Sequence, residues 1–297
     1  MKLLKKTNID FLSMRKFGFV ISGSFILAGL VSLILHGGPM LSIDFTGGTL
    51  AQIQFEKPPN IGKVRNALDR MNKGVGEVQT FGSPNEILIR LQVDDSKNNP
   101  AVELKTALQS EFPNEKLDFR RIEKVGPKIG SELKGKAIFA IITAIIGILI
   151  YISIRFEFRF AIGAIAALVH DVLITLGIFS ILNYEISLSI IAAFLTIVGY
   201  SLNDTIVVFD RVRENLKKLK TLDQESIFNK SINDSLSRTV ITSLTTFLVV
   251  FILYMAGGEV IRYFSFAMIV GVLVGTYSSI YVASPVVIFW QQRYKTK

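Results

Sequence analysis

The chain has 297 residues, 50% of them hydrophobic, and a formal net charge of +9 at pH 7. Its mean hydropathy of +0.45 is high for a soluble protein and indicates a membrane protein that carries a soluble portion. The absence of cysteine excludes disulfides and any cysteine-based zinc or redox site, and the sequence also lacks the HExxH, GxxxxGK[ST] and GxSxG motifs of zinc proteases, phosphate-loop ATPases and hydrolases.

Six apolar stretches predict six membrane-spanning helices, because each approaches the ~20 residues that are needed to cross a bilayer. The first stretch follows a basic N-terminus, residues 1–16, and it is longer than the ~7–15 apolar residues of a signal peptide. No A-x-A-like cleavage site follows it, so we interpret it as an uncleaved span. The predicted spans are residues 17–35, 136–154, 160–182, 186–209, 238–258 and 262–290.

The long polar block of residues 36–135 is predicted to be an inserted domain. Near its start, Gly47 and Gly48 are expected to adopt positive φ in a tight turn. The later hydrophobic patterns alternate between the period of strands and that of helices, in the order β-α-β-β-α-β that is typical of ferredoxin-like domains. The predicted fold is therefore a membrane all-α six-helix bundle with an inserted α+β ferredoxin-like domain. Its predicted parts are strands 49–55, 78–81, 86–91 and 116–125, helices 61–71 and 101–112, a turn at 82–85 and a Gly/Pro hinge at 125–133.

The distribution of lysine and arginine predicts that both termini are cytoplasmic. Five of these residues lie in the N-terminal segment, two in the loop 155–159, seven in 210–238 and three in the tail 291–297. The short loops on the opposite side carry only Arg262, and the long inserted domain is exempt from this rule. The inserted domain then faces outward, toward the periplasm of a bacterial cell, and the charged stretch 210–237 is interpreted as a cytoplasmic amphipathic segment. The predicted location is the bacterial inner membrane.

Asp204, beside Asn203, is the strongest candidate for a functional residue. It lies on the fourth predicted span, and a carboxylate there costs about 2.5–3.5 kcal/mol on insertion scales. It either reaches the headgroups near the helix end or couples an ion to the function of the protein. Arg238, at the start of the fifth span, is expected at a similar depth, so the two side chains could meet. Such a pair serves either as a proton relay or as a static ion pair.

His170 and Asp171 form a second polar site, almost at the centre of the third span. They are predicted either to lock helix packing by hydrogen bonding or to form, with Asn203, a secondary intramembrane site. Gly271 and Gly275 form a GxxxG packing motif on the last span. Because no ATPase motif is present, an ion gradient is the expected energy source, at about 2.3 kcal/mol per charge per 100 mV.

Three motifs resemble those of the SecD/SecF family of Sec protein-export subunits, within the resistance-nodulation-division superfamily. They are SIDFTGGTL after the first span, VGYSLNDTIVVFDRVREN on the fourth and SLSRTVITSLTT on the fifth. The resemblance covers nearly the whole chain and is to the SecF branch of the family. The DFTGG motif, which contains Asp44, Gly47 and Gly48, is shared with the SecD branch.

This resemblance implies a subunit that pairs with SecD and uses the proton motive force to promote translocation and release of preproteins on the periplasmic side. It further implies the SecYEG channel, SecA, YajC and YidC as partners alongside the translocating polypeptide and the lipid bilayer. From its residues, the sequence is expected to have no catalytic residues, no metal and no cofactor, and to bind no nucleic acid; the resemblance implies the proton gradient as the energy source. The family's proton-relay residues fall on Asp204 and Arg238. Related drug exporters often carry a second acid where this chain has Asn203, which argues against a drug pump.

Two other classes of function remain as alternatives. One is the half of a proton-coupled small-molecule exporter of the wider superfamily, and the other is a membrane enzyme or a structural scaffold. The small inserted domain argues against the exporter, since it leaves no room for a large cleft. The absence of any nucleophile–base or metal constellation argues against an enzyme, and Asp204 with Arg238 argues against a scaffold.

Overall fold

The structure is a computed structural model that describes residues 7–71, 77–91 and 100–295. Residues 1–6 of the predicted cytoplasmic N-terminus and 296–297 of the tail lie outside the described residues. The chain divides into two compact units, one formed by the residues up to Met40 and from Phe139 onward, the other by Leu41–Ile138.

In chain order, the elements of the described residues are α1 (Arg15–Leu35), α2 (Ile43–Thr46), β1 (Gly48–Gln54), α3 (Ile61–Asp69), β2 (Glu77–Phe81), β3 (Ser83–Leu91), α4 (Pro100–Glu111), β4 (Asp118–Val125), α5 (Pro127–Arg155), α6 (Phe158–Ile181), α7 (Leu188–Lys218), α8 (Gln224–Ala256), α9 (Glu259–Ser278), a π-helical segment (Ser279–Ala283) and α10 (Ser284–Lys295).

The helical unit contains the membrane region. Helices α1, α5, α6, α7 and α8 and the stretch Ile261–Arg293 are each long and apolar enough to cross a membrane, which confirms a six-helix membrane region. Helices α5 and α8 expose rows of large apolar side chains, as expected for surfaces in contact with lipid or with another membrane protein. On these two helices they include Phe139, Ile142, Ile146, Ile150, Ile154, Leu244, Leu248, Ile252 and Met255.

An aromatic cluster holds one end of this helical unit together. Phe160 on α6 lies 5.1 Å from Phe209 on α7 and 6.5 Å from Phe228 on α8, measured between ring centroids. Phe156, just after α5, adds an edge contact to Phe209 at 6.0 Å. All four rings are buried. Since a buried phenylalanine contributes about 1.5–3 kcal/mol, this cluster is a major source of cohesion between α6, α7 and α8.

Residues 210–237, which we interpret as a cytoplasmic amphipathic segment, comprise the end of one membrane helix, a short loop and the start of the next. The fourth membrane helix, α7, continues to Lys218, and α8 begins at Gln224 after a short loop. The continuation of α7 is stabilised by side-chain pairs one turn apart, such as Lys218 Nζ to Glu214 Oε1 at 2.5 Å. Asp223 caps α8 by accepting a hydrogen bond from the Ser226 amide at 3.1 Å.

The predicted hinge at residues 125–133 is helical from Pro127 onward. Proline suits the first position of a helix, where its missing N–H has no intrahelical partner to lose. Gly130 brings this first turn against the backbone of the Gly47 turn, because a Cβ atom on Gly130 would lie 2.9 Å from the Gly47 nitrogen. The predicted span 136–154 is therefore the later part of a longer helix.

The last membrane stretch, predicted as one helix over residues 262–290, is interrupted by the π-helical segment. Ser284 Oγ donates to the Ser279 carbonyl, five residues earlier, at 3.0 Å. Single π-helical turns inside α-helices are rare and often accompany functional sites. This one directly follows Ser278, which belongs to the polar network described below.

The Leu41–Ile138 unit contains a four-stranded antiparallel sheet of order β2-β3-β1-β4. Its strands and longer helices follow one another in the predicted order β-α-β-β-α-β. Helices α3 and α4 share one core with the sheet, made of Ala51, Ile53, Phe55, Val64, Ala67, Leu68, Val78, Ile87, Ile89, Leu91, Leu104, Leu108 and Phe112. The register of the strands follows from these alternating apolar residues, since a shift of one residue would turn them away from the helices.

Two local features of this unit differ from the prediction. The turn expected at 82–85 is tighter, because β3 already begins at Ser83 and only Gly82 separates it from β2, with φ of 68°. The short helix α2 was not predicted at all. It brings Ile43 against Leu50 and Leu88 on the sheet face opposite α3 and α4.

The Gly47-Gly48 turn has the backbone conformation expected from the sequence. The φ angles are 70° at Gly47 and 132° at Gly48, in a region that residues with a side chain rarely adopt. A Cβ atom on Gly48 would also lie 2.6 Å from the carbonyl oxygen of Leu91 on the neighbouring strand. Both conformation and space therefore require glycine at position 48.

We predict that Gly48→Ala destabilises the Leu41–Ile138 unit. The strain of a positive φ alone costs about 1–3 kcal/mol, and the clash with Leu91 adds to it. Hydrogen exchange of the full chain should show faster exchange of the β1 and β3 amides. Gly126→Ala is the matched control, since a Cβ atom there meets no atom within 4 Å. Equal exchange rates in the two variants would contradict this explanation.

Candidate functional site

Asp204 lies at the meeting point of three membrane helices. Its side chain, on α7, is only 1% exposed. Its Oδ2 atom accepts hydrogen bonds from Ser243 Oγ on α8 at 3.3 Å and from Thr276 Oγ1 on α9 at 3.4 Å. The carboxyl group therefore faces the interior of the helical unit, which excludes the interpretation that it reaches the headgroups.

The two hydroxyl groups around Asp204 have alternative hydrogen-bond partners. Ser243 Oγ and Thr276 Oγ1 lie 2.7 Å apart, and Thr276 Oγ1 also lies 2.8 Å from the carbonyl oxygen of Val272. Each hydroxyl has one hydrogen to donate. Both can turn toward an ionised Asp204, or toward each other and the carbonyl when Asp204 is neutral. Such a site can accept both protonation states without a rearrangement of the helices.

The sequence allows Arg238 to meet Asp204, either as part of a proton relay or as a static ion pair. Within the described residues, no ion pair of 4.0 Å or less joins the two, and Arg238 is exposed on α8. Asn203 is exposed as well, on a different face of α7 from Asp204, so it does not join His170 and Asp171 as predicted. The physical reason is the 100° rotation between successive helical residues, which separates the side chains of Asn203 and Asp204.

Asp171 forms a second buried site, on α6. Its Oδ2 atom accepts hydrogen bonds from Ser201 Oγ on α7 at 2.5 Å and from Ser278 Oγ at the end of α9 at 2.9 Å. All three side chains are at most 1% exposed. Ser201 precedes Asp204 by one turn on α7, so the two carboxyl groups occupy neighbouring levels of the same interface between α7 and α9.

His170 connects Asp171 to the first membrane helix. Its Nδ1 atom lies 2.8 Å from Asp171 Oδ1, and its Nε2 atom lies 2.8 Å from Ser22 Oγ on α1. Ser22 Oγ in turn lies 3.1 Å from the Tyr277 hydroxyl of α9, which donates to the Gly18 carbonyl of α1 at 2.6 Å. The polar pair therefore joins α1, α6 and α9 in one hydrogen-bonded network.

Small residues allow the helices to approach closely enough for these bonds. A Cβ atom on Gly271 would lie 2.3 Å from the Ile197 side chain, and Gly275 packs against Ser201, so the GxxxG motif lies at the contact of α7 with α9. Between α1 and α6, a Cβ atom on Gly29 would lie 2.6 Å from the Cα atom of Gly177. This packing mode is typical of membrane helices, where small residues bring backbones together.

Sequence reasoning missed most of the hydrogen-bond partners in these two sites. Ser22, Ser201, Tyr277 and Ser278 are ordinary hydroxyl residues of the spans, and the hydroxyl of a helical serine can also bond to a carbonyl of its own helix. Only the helical spacing of Ser201 and Asp204 offered a signal. Among the described residues, no group of three His, Asp or Glu side chains is placed to hold a metal ion.

The sequence matches two family profiles that cover both parts of the chain. Residues 104–293 match the family described as "Protein export membrane protein SecD/SecF, C-terminal", and residues 33–59 match the "SecD/SecF GG Motif". The chain belongs to the SecD/SecF family. The second profile includes the Gly47-Gly48 turn, and the first includes His170, Asp171, Asp204 and Arg238.

Named relatives of this SecD/SecF chain match it over almost their whole length. "Protein translocase subunit SecF" of Calditerrivibrio nitroreducens is 48% identical over 294 residues, which cover 97% of this chain and 96% of that protein. The protein of the same name from Vibrio alginolyticus is 47% identical over 287 residues, covering 95% of this chain and 90% of that protein.

Solved structures share the fold of this SecD/SecF chain. SecDF of Thermus thermophilus, described as a translocon-associated membrane protein, matches with a TM-score of 0.83 and 37% identity over 96% of this chain. A SecDF structure in a super-membrane-facing form matches with a TM-score of 0.71 at the same identity. The chain spans 39% and 40% of those two longer chains.

We predict that Gly271→Ala destabilises the contact between α7 and α9. The added methyl group would overlap Ile197, and overpacking of this kind costs about 1–3 kcal/mol. Thermal unfolding of the purified chain in detergent should show a lower midpoint. Gly199→Ala on α7 serves as the control, because its Cβ atom would meet nothing within 4 Å. If both variants unfold at the wild-type temperature, the tight helix contact is not a source of stability.

Proposed function

We propose that this chain is the SecF-type subunit of a Sec protein translocase, in which proton movement through the Asp204 site promotes translocation and release of preproteins. Family membership and the names of the relatives support the role in protein export. The proton coupling rests on one observation: a fully buried carboxyl group on a membrane helix whose hydrogen-bond partners are two hydroxyl groups.

The environment of Asp204 suits a group that gains and loses a proton. An ionised carboxylate inside the membrane is costly unless it is well compensated, and two long hydroxyl bonds compensate it only in part. The same hydroxyls have good alternative partners when the acid is neutral. Arg238 acts in this proposal as a nearby cation that approaches Asp204 during the cycle and displaces its proton. One proton that crosses the membrane potential supplies about 2.3 kcal/mol per 100 mV.

A SecD-type subunit is the proposed partner of this chain. The SecDF structures combine both parts in a single longer polypeptide, of which this chain matches about two fifths. The exposed Arg238 and the apolar surface of α8 leave a face of the helical unit for that partner. The SecYEG channel, SecA, YajC and YidC stay predictions that come from the family resemblance.

The proposed orientation places both termini in the cytoplasm and the Leu41–Ile138 unit in the periplasm. Its support is the excess of lysine and arginine in the segments that would be cytoplasmic, in a protein of the bacterial inner membrane. We also propose that this unit is a ferredoxin-like domain, since its strand order and its two helices on one sheet face correspond to that fold.

A small-molecule exporter is not favoured, because the relatives are named protein translocase subunits. The absence of an enzymatic activity and of any cofactor stays a prediction. Residue 203 also separates the protein-export hypothesis from the exporter hypothesis. Related drug exporters often carry a second acid at this position, whereas this chain has the amide Asn203, which is exposed on α7.

We predict that Asp204→Asn reduces export of a secreted reporter to the level of cells that lack this subunit. The amide keeps the size of the side chain but cannot carry the proton. Export should be measured with and without an uncoupler, and the uncoupler should remove the benefit of the wild-type subunit but change nothing in the variant.

Asp210→Asn is the matched control for this experiment. It is the same substitution on the same helix, but Asp210 forms a half-exposed ion pair with Arg155, and such pairs contribute only about 0–1 kcal/mol. Its export should equal that of the wild type, with both variants shown to accumulate normally. Normal export by Asp204→Asn would rule out this residue as the coupling site.

A further inference from the structure

The hydrogen bonds around His170 determine how many protons the network holds. The hydroxyl group of Tyr277 has a single hydrogen, which it donates to the Gly18 carbonyl over the short distance of 2.6 Å. Tyr277 can then only accept a bond from Ser22. If Ser22 donates its own single hydrogen to Tyr277, its contact with His170 Nε2 is a hydrogen bond only when Nε2 carries a hydrogen.

The other side of the ring faces Asp171. Oδ1 of this carboxyl group lies 2.8 Å from His170 Nδ1, so one hydrogen must lie between the two atoms. With one hydrogen on Nε2 and one between Nδ1 and Oδ1, the pair is an imidazolium with a carboxylate if the second hydrogen lies on Nδ1, or a neutral imidazole with a protonated acid if it lies on Oδ1. Both descriptions contain the same number of protons and have no net charge. We call this the loaded state.

Removal of one proton breaks part of the network. The remaining hydrogen must stay between Nδ1 and Oδ1, because two lone pairs would otherwise face each other at 2.8 Å. Nε2 is then bare and accepts the hydrogen of Ser22, which leaves no hydrogen for the contact between Ser22 and Tyr277 unless Tyr277 releases Gly18. The unloaded state has therefore lost one bond between α1 and α9, whereas the observed geometry satisfies every contact in the loaded state.

The surroundings favour a pair without net charge. His170 is 5% exposed, Asp171 is 1% exposed, and α1 contributes no charged side chain between Phe17 and Leu35. A net negative charge in such a position is more costly than an internally neutral pair. Of the described residues on the helices packed against the pair, the titratable ones nearest in sequence to its direct contacts are Tyr200 and Asp204 on α7, Tyr277 on α9 and Tyr281 in the π-helical segment.

We propose that His170 and Asp171 form a second proton-holding site, distinct from Asp204, whose proton determines how firmly α1 is bound to α6 and α9. Its position makes it a neighbour of the first site: Ser201 and Asp204 are one turn apart on α7, and Thr276 and Ser278 lie close together on α9. A role of this proton in export rests on the proposed function, but the protonation of the pair and its effect on α1 do not.

The protonation can be measured directly, because the chain has only two histidines. With ¹⁵N-histidine and the substitution His36→Gln, the nitrogen NMR signals of the full chain in lipid vesicles come from His170 alone. We expect a pH range in which the folded chain carries a hydrogen on Nε2 and another range in which it does not. A bare Nε2 at every pH at which the chain stays folded would overturn the proposal.

Two tyrosine substitutions test the hydrogen-bond explanation. Tyr277→Phe removes the acceptor of the Ser22 hydrogen, so Ser22 donates to Nε2 instead. Nε2 should then carry its own hydrogen over a narrower pH range than in the wild-type chain. Tyr281→Phe is the matched control, since its ring lies 5.1 Å from that of Tyr277 while its hydroxyl forms no hydrogen bond among the described residues. An equal shift in both variants would contradict the network.

The effect on α1 can be followed with spin labels, since the natural chain contains no cysteine. Val20→Cys on α1 and Val169→Cys on α6 are exposed positions for the two labels. We expect a narrow distance distribution at the pH where Nε2 is protonated and a broader one after its hydrogen is lost. A distribution that is unchanged while Nε2 titrates would overturn the link to α1.

NMR measurements on the Asp204→Asn variant distinguish a failure of this inference from a failure of the proposed function. We expect His170 to keep the hydrogen on Nε2 in the Asp204→Asn variant, because the two sites have different direct partners. Normal export by Asp204→Asn would defeat the proposed function and leave the NMR result standing. A bare Nε2 together with loss of export in Asp204→Asn would defeat the second site alone.

Discussion

The need to satisfy two carboxyl groups inside the membrane governs the arrangement of the helices. Asp171 on α6 and Asp204 on α7 each accept hydrogen bonds from hydroxyl groups of neighbouring helices, which lowers the cost of a polar group at membrane depth. Such bonds require backbones that approach closely, and Gly271 and Gly275 provide this at the contact of α7 with α9. The close packing at the glycines and the hydrogen bonds of the two carboxyl groups therefore depend on each other, and a change in either disturbs the contact of α7 with α9.

The ends of α7 and α8 outside this polar interface are stabilised in a different way. Phe160, Phe209 and Phe228 form a buried aromatic cluster. Further along α7, charged side chains such as Glu214 and Lys218 form ion pairs on the helix surface. The rings of this cluster are fully buried, whereas Ser243 and Thr276 at the hydroxyl-lined interface have alternative hydrogen-bond partners. Their hydroxyl oxygens lie 3.3 and 3.4 Å from Asp204 Oδ2 and 2.7 Å from each other, and that of Thr276 lies 2.8 Å from the Val272 carbonyl. A closely packed aromatic end and a centre with alternative hydrogen bonds suit two helices that respond to proton binding.

The Leu41–Ile138 unit shows how a short motif can organise a larger structure. The Gly47-Gly48 turn leads from α2 into the central strand β1, and it lies against the first turn of α5 through Gly130. The close approach to Leu91 and to Gly130 leaves no space for side chains, so three glycines bring a strand edge and a helix start together. The motif is therefore a packing device at the base of the sheet, and Asp44 occupies the short helix that precedes it.

The sequence by itself determined the six spans, the order of strands and helices in the inserted unit and the positive φ of its glycine turn. These properties follow from hydrophobic periodicity, length and the cost of polar groups in lipid, which are all local. Only the tertiary structure decided the contacts between helices. It buried Asp204 and paired it with Ser243 and Thr276, left Arg238 exposed and without an ion pair to Asp204 among the described residues, placed Asn203 on an exposed face of α7, and joined His170 to Ser22 and Tyr277. These residues are far apart in sequence, and a lone serine or tyrosine in an apolar span carries no signal of its partner until the helices are packed.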